Sequence, residues 1–436
     1  MYHPRENDAI ENPLAPARLR RQFDADWWTG FLDRSEQMSR PCVFADALDA
    51  GQARLMRRQV LDILAELGQT HKAKYGYRLW LDGRKVDELE ELDEHFALHP
   101  LPHEDIEDWV DRAFGKRKFG IILNRGEKFS PGLSQAIAHI LEPALKMIGM
   151  PTEGILCTVF IGNYDMTPLG IHKDTLGKSV IHFHLGPGPK TMYTWRDDDY
   201  VTAPGAKRYN NRDIAPHLPS ATRHTFGEGQ LYFMPENLFH LGTQDELSIG
   251  IACWFYNRSD QDFAGELLRR VQEAHLRPSG IMLKADRRPV DDIATVESAL
   301  SLLALPGDGD LRALMREVYR DLRYSLFSNA GYRNSPIPRE DKPAIRPDSR
   351  VAVEAPYRML CRPADEAGRL ELYVRGTKIA LGNFPGLEAM VDRLNGGGKF
   401  AVEDIVAMVD DPLAEKKVHY LLGMLHRYRG IAVTPH

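Results

Sequence analysis

Between Gly170 and Lys190 the chain reads GIHKDTLGKSVIHFHLGPGPK. Three histidines, one aspartate and three lysines sit in a stretch whose remaining residues favour strand. Residues i and i+2 of a strand share a face. His172 and Asp174 therefore present an imidazole and a carboxylate side by side. One more imidazole from another strand completes a 2-His-1-carboxylate facial set. That set leaves coordination positions open and is typical of non-haem Fe(II) oxygenases. The best candidate for the third donor is His240, in GEGQLYFMPENLFHLGTQDELSIGIACWF. There a Gly-rich turn leads into a strand, Pro235 ends it, and His240 opens the next apolar run. Open positions on such a metal admit a bidentate 2-oxo acid and then O2. Other histidines compete. His182 and His184 share one face of VIHFHL, opposite Ile181, Phe183 and Leu185, and an HxH pair is itself a metal motif. His224 precedes the turn at Gly227.

The elements that must position these groups are short. GILCTVFIGN, SVIHFHLG, KTMYTW, GQLYFMP and SIGIACWFYN are β-rich runs split by Gly and Pro, the texture of a small all-β barrel or sandwich. Helical periodicity precedes them in FDADWWTGFLDRSEQMSRPCVF, AGQARLMRRQVLDILAELGQTH, EDIEDWVDRAFG and SPGLSQAIAHILEPALKMIG. The last of these has Ser130 as a natural N-cap and Pro131 at the first helical position. Helices return in FAGELLRRVQEAHL, VESALSLLAL and LRALMREVYRDLRYSLFSN. The polar, Pro-rich NSPIPREDKPAIRPDS then reads as a linker. The last stretch reads as a hairpin (RLELYVRGTKIAL), three helices and a final strand (IAV), the pattern of a winged helix. The division expected is a flexible arm at 1–20, a barrel with N-terminal helices at 21–259, a helical region at 260–334, a linker at 335–350 and a winged-helix domain at 351–436.

Composition narrows the function. The 436 residues are 43% hydrophobic with net charge −6, which argues against a protein dominated by nonspecific nucleic-acid binding. Four scattered cysteines form no CxxC pair, so neither a zinc ribbon nor a disulfide framework is indicated. The start has no apolar core of a secretory signal, and no apolar run reaches the ~18 residues of a membrane span. A cytoplasmic location is the expectation.

From about Cys157 to Arg258 the chain resembles the JmjC-type, cupin-like 2-oxoglutarate oxygenases. TPLGIHKD looks like their turn into the first metal-binding strand, and GEGQLYFMPENLFH like their second metal-binding segment. The order of parts is similar to that of the bacterial ribosomal oxygenases. The resemblance implies an α+β chain with a double-stranded β-helix (jelly-roll) core, a helical dimerisation region and a C-terminal winged helix. It implies Fe(II) held by His172, Asp174 and His240, 2-oxoglutarate as co-substrate, and hydroxylation of an amino-acid side chain in a peptide or protein with release of succinate and CO2. The implied partners are such a substrate, a ribosomal protein or a leader-bearing peptide, and a second copy of the chain. Neither nucleic acid nor membrane is an expected partner. Departures are visible. Lys173 stands where Tyr is common, and Phe160 likewise. The cation for the distal co-substrate carboxylate usually follows the Asp by about thirteen residues, whereas Lys190 follows Asp174 by sixteen. Thr158 matches a co-substrate-binding position, and His182 or His184, Lys178 and Arg258 are further candidates. Tyr164, Tyr193 and Trp195 are candidates for a substrate groove, with ordinary sheet packing as their other reading. The competing functions are a cupin-like ligand-binding transcriptional regulator that uses the winged helix on DNA, and a cupin isomerase or dioxygenase that needs no 2-oxoglutarate.

Overall fold

The computed structural model describes residues 12–70, 76–282, 289, 297, 299–304, 310–364 and 366–434. The strands that build the site are β1 (Cys42–Phe44), β2 (Tyr77–Leu81), β3 (Arg84–Lys85), β4 (Phe119–Asn124), β5 (Ile155–Gly162), β6 (His172–Lys173), β7 (Lys178–Pro187), β8 (Lys190–Trp195), β9 (Thr222–Phe226), β10 (Leu231–Met234), β11 (Phe239–Thr243) and β12 (Ser248–Tyr256). They form two antiparallel sheets, ordered β1-β10-β7-β12-β5-β4-β2-β3 and β6-β11-β8-β9.

Strand alternation explains how the sheets are used. Ile181, Phe183 and Leu185 of β7, with Ile249, Ile251, Cys253 and Phe255 of β12, join the main apolar core, which also takes in helices Ala50–Thr70 and Pro131–Ile148. The alternate residues Val180, His182, Ala252 and Trp254 face a cavity instead. The four-stranded sheet supplies that cavity with His172, Lys190, Met192, His240 and Gly242. Period-2 geometry thus sends one face of the large sheet to the core and the other to the site. The helix Pro131–Ile148 starts as its sequence predicts: Ser130 Oγ accepts from the Leu133 N–H at 3.2 Å, and Pro131 lacks the donor that position leaves unpaired.

Two expectations change. The N-terminal section is not only helical, because β2 and β4 extend the large sheet. The signal was a short one. Asp82 and Gly83, both at positive φ, make the two-residue turn that joins β2 to β3, with Leu81 opposite Arg84. The arm at 1–20 is also not wholly loose. Residues 1–11 lie outside the described residues, but Pro16–Gln22 is a helix, and Leu14 and Leu19 are buried in the main core.

Helices Asp260–His275 and Leu311–Ser328 follow the sheets. Much of VESALSLLAL lies outside the described residues. The C-terminal part has its own apolar core, including Val351, Leu370, Leu387, Val418 and Ile431. Around it lie the hairpin Arg369–Val374 with Thr377–Gly382, helices Leu387–Asn395, Val402–Val406 and Ala414–Arg427, the final strand Ile431–Thr434, and three strands not foreseen, Arg350–Val353, Leu360–Pro363 and Phe400–Ala401. Residues 335–350 are pinned at several points. Ile337 packs on the main core, and Arg339 pairs with Glu354 and contacts His426 Nδ1 at 2.8 Å.

Candidate metal centre

β6 is two residues long, and its pairing with β11 sets His172 directly opposite His240. Opposed side chains start ≈ 4.5–5.5 Å apart at Cβ, and here the imidazole centroids lie 4.3 Å apart. Asp174 follows just beyond β6. One donor atom from each of His172, Asp174 and His240 lies within 4.8 Å of the other two, with His240 Nε2 3.7 Å from Asp174 Oδ2.

Backbone carbonyls fix the ring orientation. His172 Nδ1 faces the Gly170 oxygen at 2.9 Å, and His240 Nδ1 faces the Leu238 oxygen at 3.2 Å. An Nδ1–H donated to each carbonyl leaves the Nε2 lone pair free for a metal. Burial, and then the facing His172, push His240 down to about 4, so its ring is neutral near pH 7. Asp174 Oδ2 is buried with no hydrogen-bond partner among the described residues. A buried carboxylate oxygen left unpaired is costly, and a cation among the three donors removes that cost. The donor set fits a divalent metal, and all three residues line the cavity.

Glu317, Asp321 and Glu371 also come within 4.8 Å of one another. Arg362 pairs with all three, and Lys378 with Asp321 and Glu371. Side-chain cations already occupy that cluster.

The cavity beside the triad has a volume of about 250 Å³. Lys190 lies in its wall, 4% exposed, and its Nζ donates to Gln244 Oε1 at 3.0 Å and Tyr164 Oη at 3.2 Å. No carboxylate pairs with it among the described residues, and burial pushes it down to about 7. Its position relative to the triad follows from register. His240 is opposite Thr194, so Lys190 lies four residues further along β8. Its side chain reaches back toward Gly242, two residues from His240: a Cβ on Gly242 would lie 3.4 Å from Lys190 Cε and 3.1 Å from Met192 Sδ. Glycine there keeps the route between lysine and triad open.

The other expected residues divide. Thr158, Phe160, Lys178 and His182 line the cavity. Thr158 Oγ1 donates to Asn124 Oδ1 at 3.2 Å. His182 is buried, its Nε2 has no partner among the described residues, and burial followed by Lys190 holds its pKa well below the usual range. A Cβ on Gly250 would lie 2.1 Å from that Nε2, so His182 occupies space that only glycine leaves free. His184 does not line the cavity; its Nε2 contacts the Gly188 oxygen at 2.8 Å. His224 lies in a separate surface depression with Arg40 and Cys42. Arg258 also stays outside the cavity, because the buried Glu153 holds its Nε at 2.6 Å. Lys173 donates to both Asp197 oxygens, at 2.8 and 2.6 Å. Of the groove aromatics, Tyr164 is buried beneath Lys190, while Tyr193 and Trp195 pack in a satellite core away from the cavity. Sequence reasoning missed Arg78, Trp80 and Asn124, which β2 and β4 bring to the cavity wall. The turn at Asp82-Gly83 was the cue that could have found them.

No family model matches the chain, and no curated protein does. Among solved structures, the ribosomal oxygenase YcfD from Escherichia coli is similar over 94% of this chain and 98% of its own, at 14% identity and a TM-score of 0.46. YcfD in complex with cobalt and 2-oxoglutarate gives 16% identity and a TM-score of 0.44 over 94% and 98%. SnoK, a non-haem alpha-ketoglutarate-dependent carbocyclase from nogalamycin biosynthesis, gives 13% and 0.33 over 60% and 96%. These likenesses carry no functional argument; the atoms of the site do.

Proposed function

We propose that the chain is an Fe(II)- and 2-oxoglutarate-dependent oxygenase that hydroxylates an amino-acid side chain in a peptide or protein, with release of succinate and CO2. One observation carries the reading. A 2-His-1-carboxylate set and a buried lysine without a carboxylate partner among the described residues face one cavity, the two histidines and the lysine from the same four-stranded sheet and Asp174 from just beyond its β6. The metal alone explains the triad, but it does not explain Lys190. A dicarboxylate with one end at the metal and the other at the lysine explains both, because an ammonium in a dry wall calls for an anion.

In this reading His172, Asp174 and His240 hold the metal, which supplies activation of O2 coupled to oxidative decarboxylation of the 2-oxo acid. Lys190 holds the distal carboxylate, with Tyr164 and Gln244 orienting its Nζ. Thr158 and His182 line the same wall as further co-substrate contacts. Apolar neighbours such as Phe160, Met192 and Trp254 exclude water from the reacting centre. We read the two facing sheets as a double-stranded β-helix, residues 351–436 as a winged helix bracing the assembly or recruiting substrate, and the protein as cytoplasmic. Among the described residues, no helix is long and apolar enough to cross a membrane.

The test is Fe(II)-dependent turnover of 2-oxoglutarate with succinate quantified. His172→Ala is expected to abolish succinate formation, whereas His224→Ala, in its separate depression, leaves most of it. Equal loss in both variants, or succinate formed without added Fe(II) in metal-stripped protein, sinks the reading.

A further inference from the structure

We infer that the cavity selects a substrate bearing a carboxylate, and that Arg78 is the residue that binds it. The inference rests on the oxygenase reading above and names the class of substrate. Arg78 projects from β2 into the cavity wall. Its Nε is out of contact with solvent and has no partner among the described residues. Among the described residues its one hydrogen bond is a long one, from Nη2 to Asn124 Oδ1 at 3.5 Å. Several arginines elsewhere pair with acids, Arg57 with Glu228, Arg258 with Glu153, Arg339 with Glu354 and Arg362 with Glu317, while the half-buried Arg429 donates to the Ile337 carbonyl. Arg78 stands out as a guanidinium held ready at a cavity with its acid missing.

The charge of the lining points the same way. Arg78, Lys178 and Lys190 line the cavity, and Asp174 is the one acidic side chain among its lining residues. The proposed metal takes Asp174, and the proposed co-substrate takes Lys190. Arg78 and Lys178 then remain, and neither forms an ion pair among the described residues. Lys178 Nζ rests 5.1 Å from the Tyr256 ring centroid. Such a wall repels arginine and lysine side chains and attracts an anion. The planar fork of a guanidinium matches a carboxylate in two parallel hydrogen bonds. Trp80, whose ring centroid lies 5.7 Å from Arg78 Cζ, together with Trp254 and Met234, offers apolar surface for the body of the substrate. At about 250 Å³ the cavity is just below the ≈ 300–1,000 Å³ usual for small-molecule sites, so it admits a small group rather than a large ligand.

The experiment titrates the full-length protein, loaded with Mn(II) and saturating 2-oxoglutarate, with three probes: 3-phenylpropanoate, its amide and 3-phenylpropylamine. Binding is read by calorimetry and tryptophan fluorescence, so no turnover is needed. The acid is expected to bind at least about tenfold more tightly than the amide, the minimum that a charge-assisted hydrogen bond confers, and the amine is expected not to bind. Arg78→Gln should bring the acid down to the level of the amide while leaving Mn(II) and 2-oxoglutarate binding unchanged. Any of these results overturns the inference: no binding of the acid by the parent, equal binding of acid and amide by the parent, or an acid preference that survives in Arg78→Gln. Weakened 2-oxoglutarate binding in Arg78→Gln also overturns it, by assigning Arg78 to the co-substrate. The parent comparison needs no variant, so a folding defect in Arg78→Gln does not remove the test. Failure of the parent to bind 2-oxoglutarate sinks the oxygenase reading separately, and the acid–amide comparison without 2-oxoglutarate then still reports on Arg78.

Discussion

Lys190 is the residue whose protonation matters most for the proposed chemistry. Burial lowers its pKa to about 7. In the unfolded chain a lysine keeps its proton to about 10.4. Between those values the unfolded state holds more protons, so this residue makes the stability of the ligand-free protein rise with pH across that window. Co-substrate binding has the opposite slope, because a carboxylate needs the ammonium form. The 2-oxoglutarate dissociation constant, measured with Mn(II) from pH 6.5 to 9, is expected to rise above pH 7 by up to about tenfold per unit. Lys190→Arg should flatten that profile, since arginine stays charged. Lys190→Ala should raise the 2-oxoglutarate KM strongly with metal binding nearly intact. A flat parent profile would move the carboxylate elsewhere. At this scale the sequence was most legible where spacing is local: two residues on one strand bring His172 and Asp174 together. It was least legible where partners are remote. Nothing near Arg258 announces that Glu153, 105 positions away, occupies it. Nothing near Arg78 announces which strand its own will join.

Among the elements, the short turn Gly126–Lys128 ties β5 to the chain beyond the helices. It does so through Glu127, buried at 3% exposure, whose carboxylate accepts from the Cys157 N–H at 2.9 Å and from Asn334 Nδ2 at 2.8 Å. Burial raises it to about 7 despite those donors. The folded state therefore holds more protons than the unfolded one between about pH 4.5 and 7. The contribution is fully present below that window and is lost as pH rises through 7. Glu127→Gln, with the Asn334 amide turned to offer its oxygen, should remove this loss. The parent melting temperature is expected to fall between pH 5 and 8 relative to the variant, and parallel melting profiles would refute the assignment. Elements punctuated by Gly and Pro, such as β7, β8 and β12, were readable from sequence. β2 and β4 were not, because they stand among helices and join the sheet through remote partners, β2 through β4 and β4 through β5.

The whole molecule joins these parts by a few large side chains. Arg375, 2% exposed, lies with Cζ 3.3 Å from the Tyr357 ring centroid and donates from Nε to Asn329 Oδ1, which fastens the C-terminal hairpin to the end of helix Leu311–Ser328. Helices Asp260–His275 and Leu311–Ser328 leave Leu268, Leu311 and Phe327 exposed. We expect this helical region to form a homodimer, so light scattering at micromolar concentration should give about twice 49.5 kDa; a monomeric mass refutes it. β6 has a different consequence at this scale. It carries one proposed ligand and leads directly to another, yet its ladder with β11 amounts to two residue pairs, supplemented by the isolated bridge of Ile171 to Asn211. Peeling so short a segment is far easier than opening the eight-stranded sheet. In the proposed holoenzyme, lifting this strand would carry His172 and Asp174 together away from His240, which stays in place on β11. Fraying of this short ladder would then contribute to the residence time of the proposed ion, alongside its coordinate bonds.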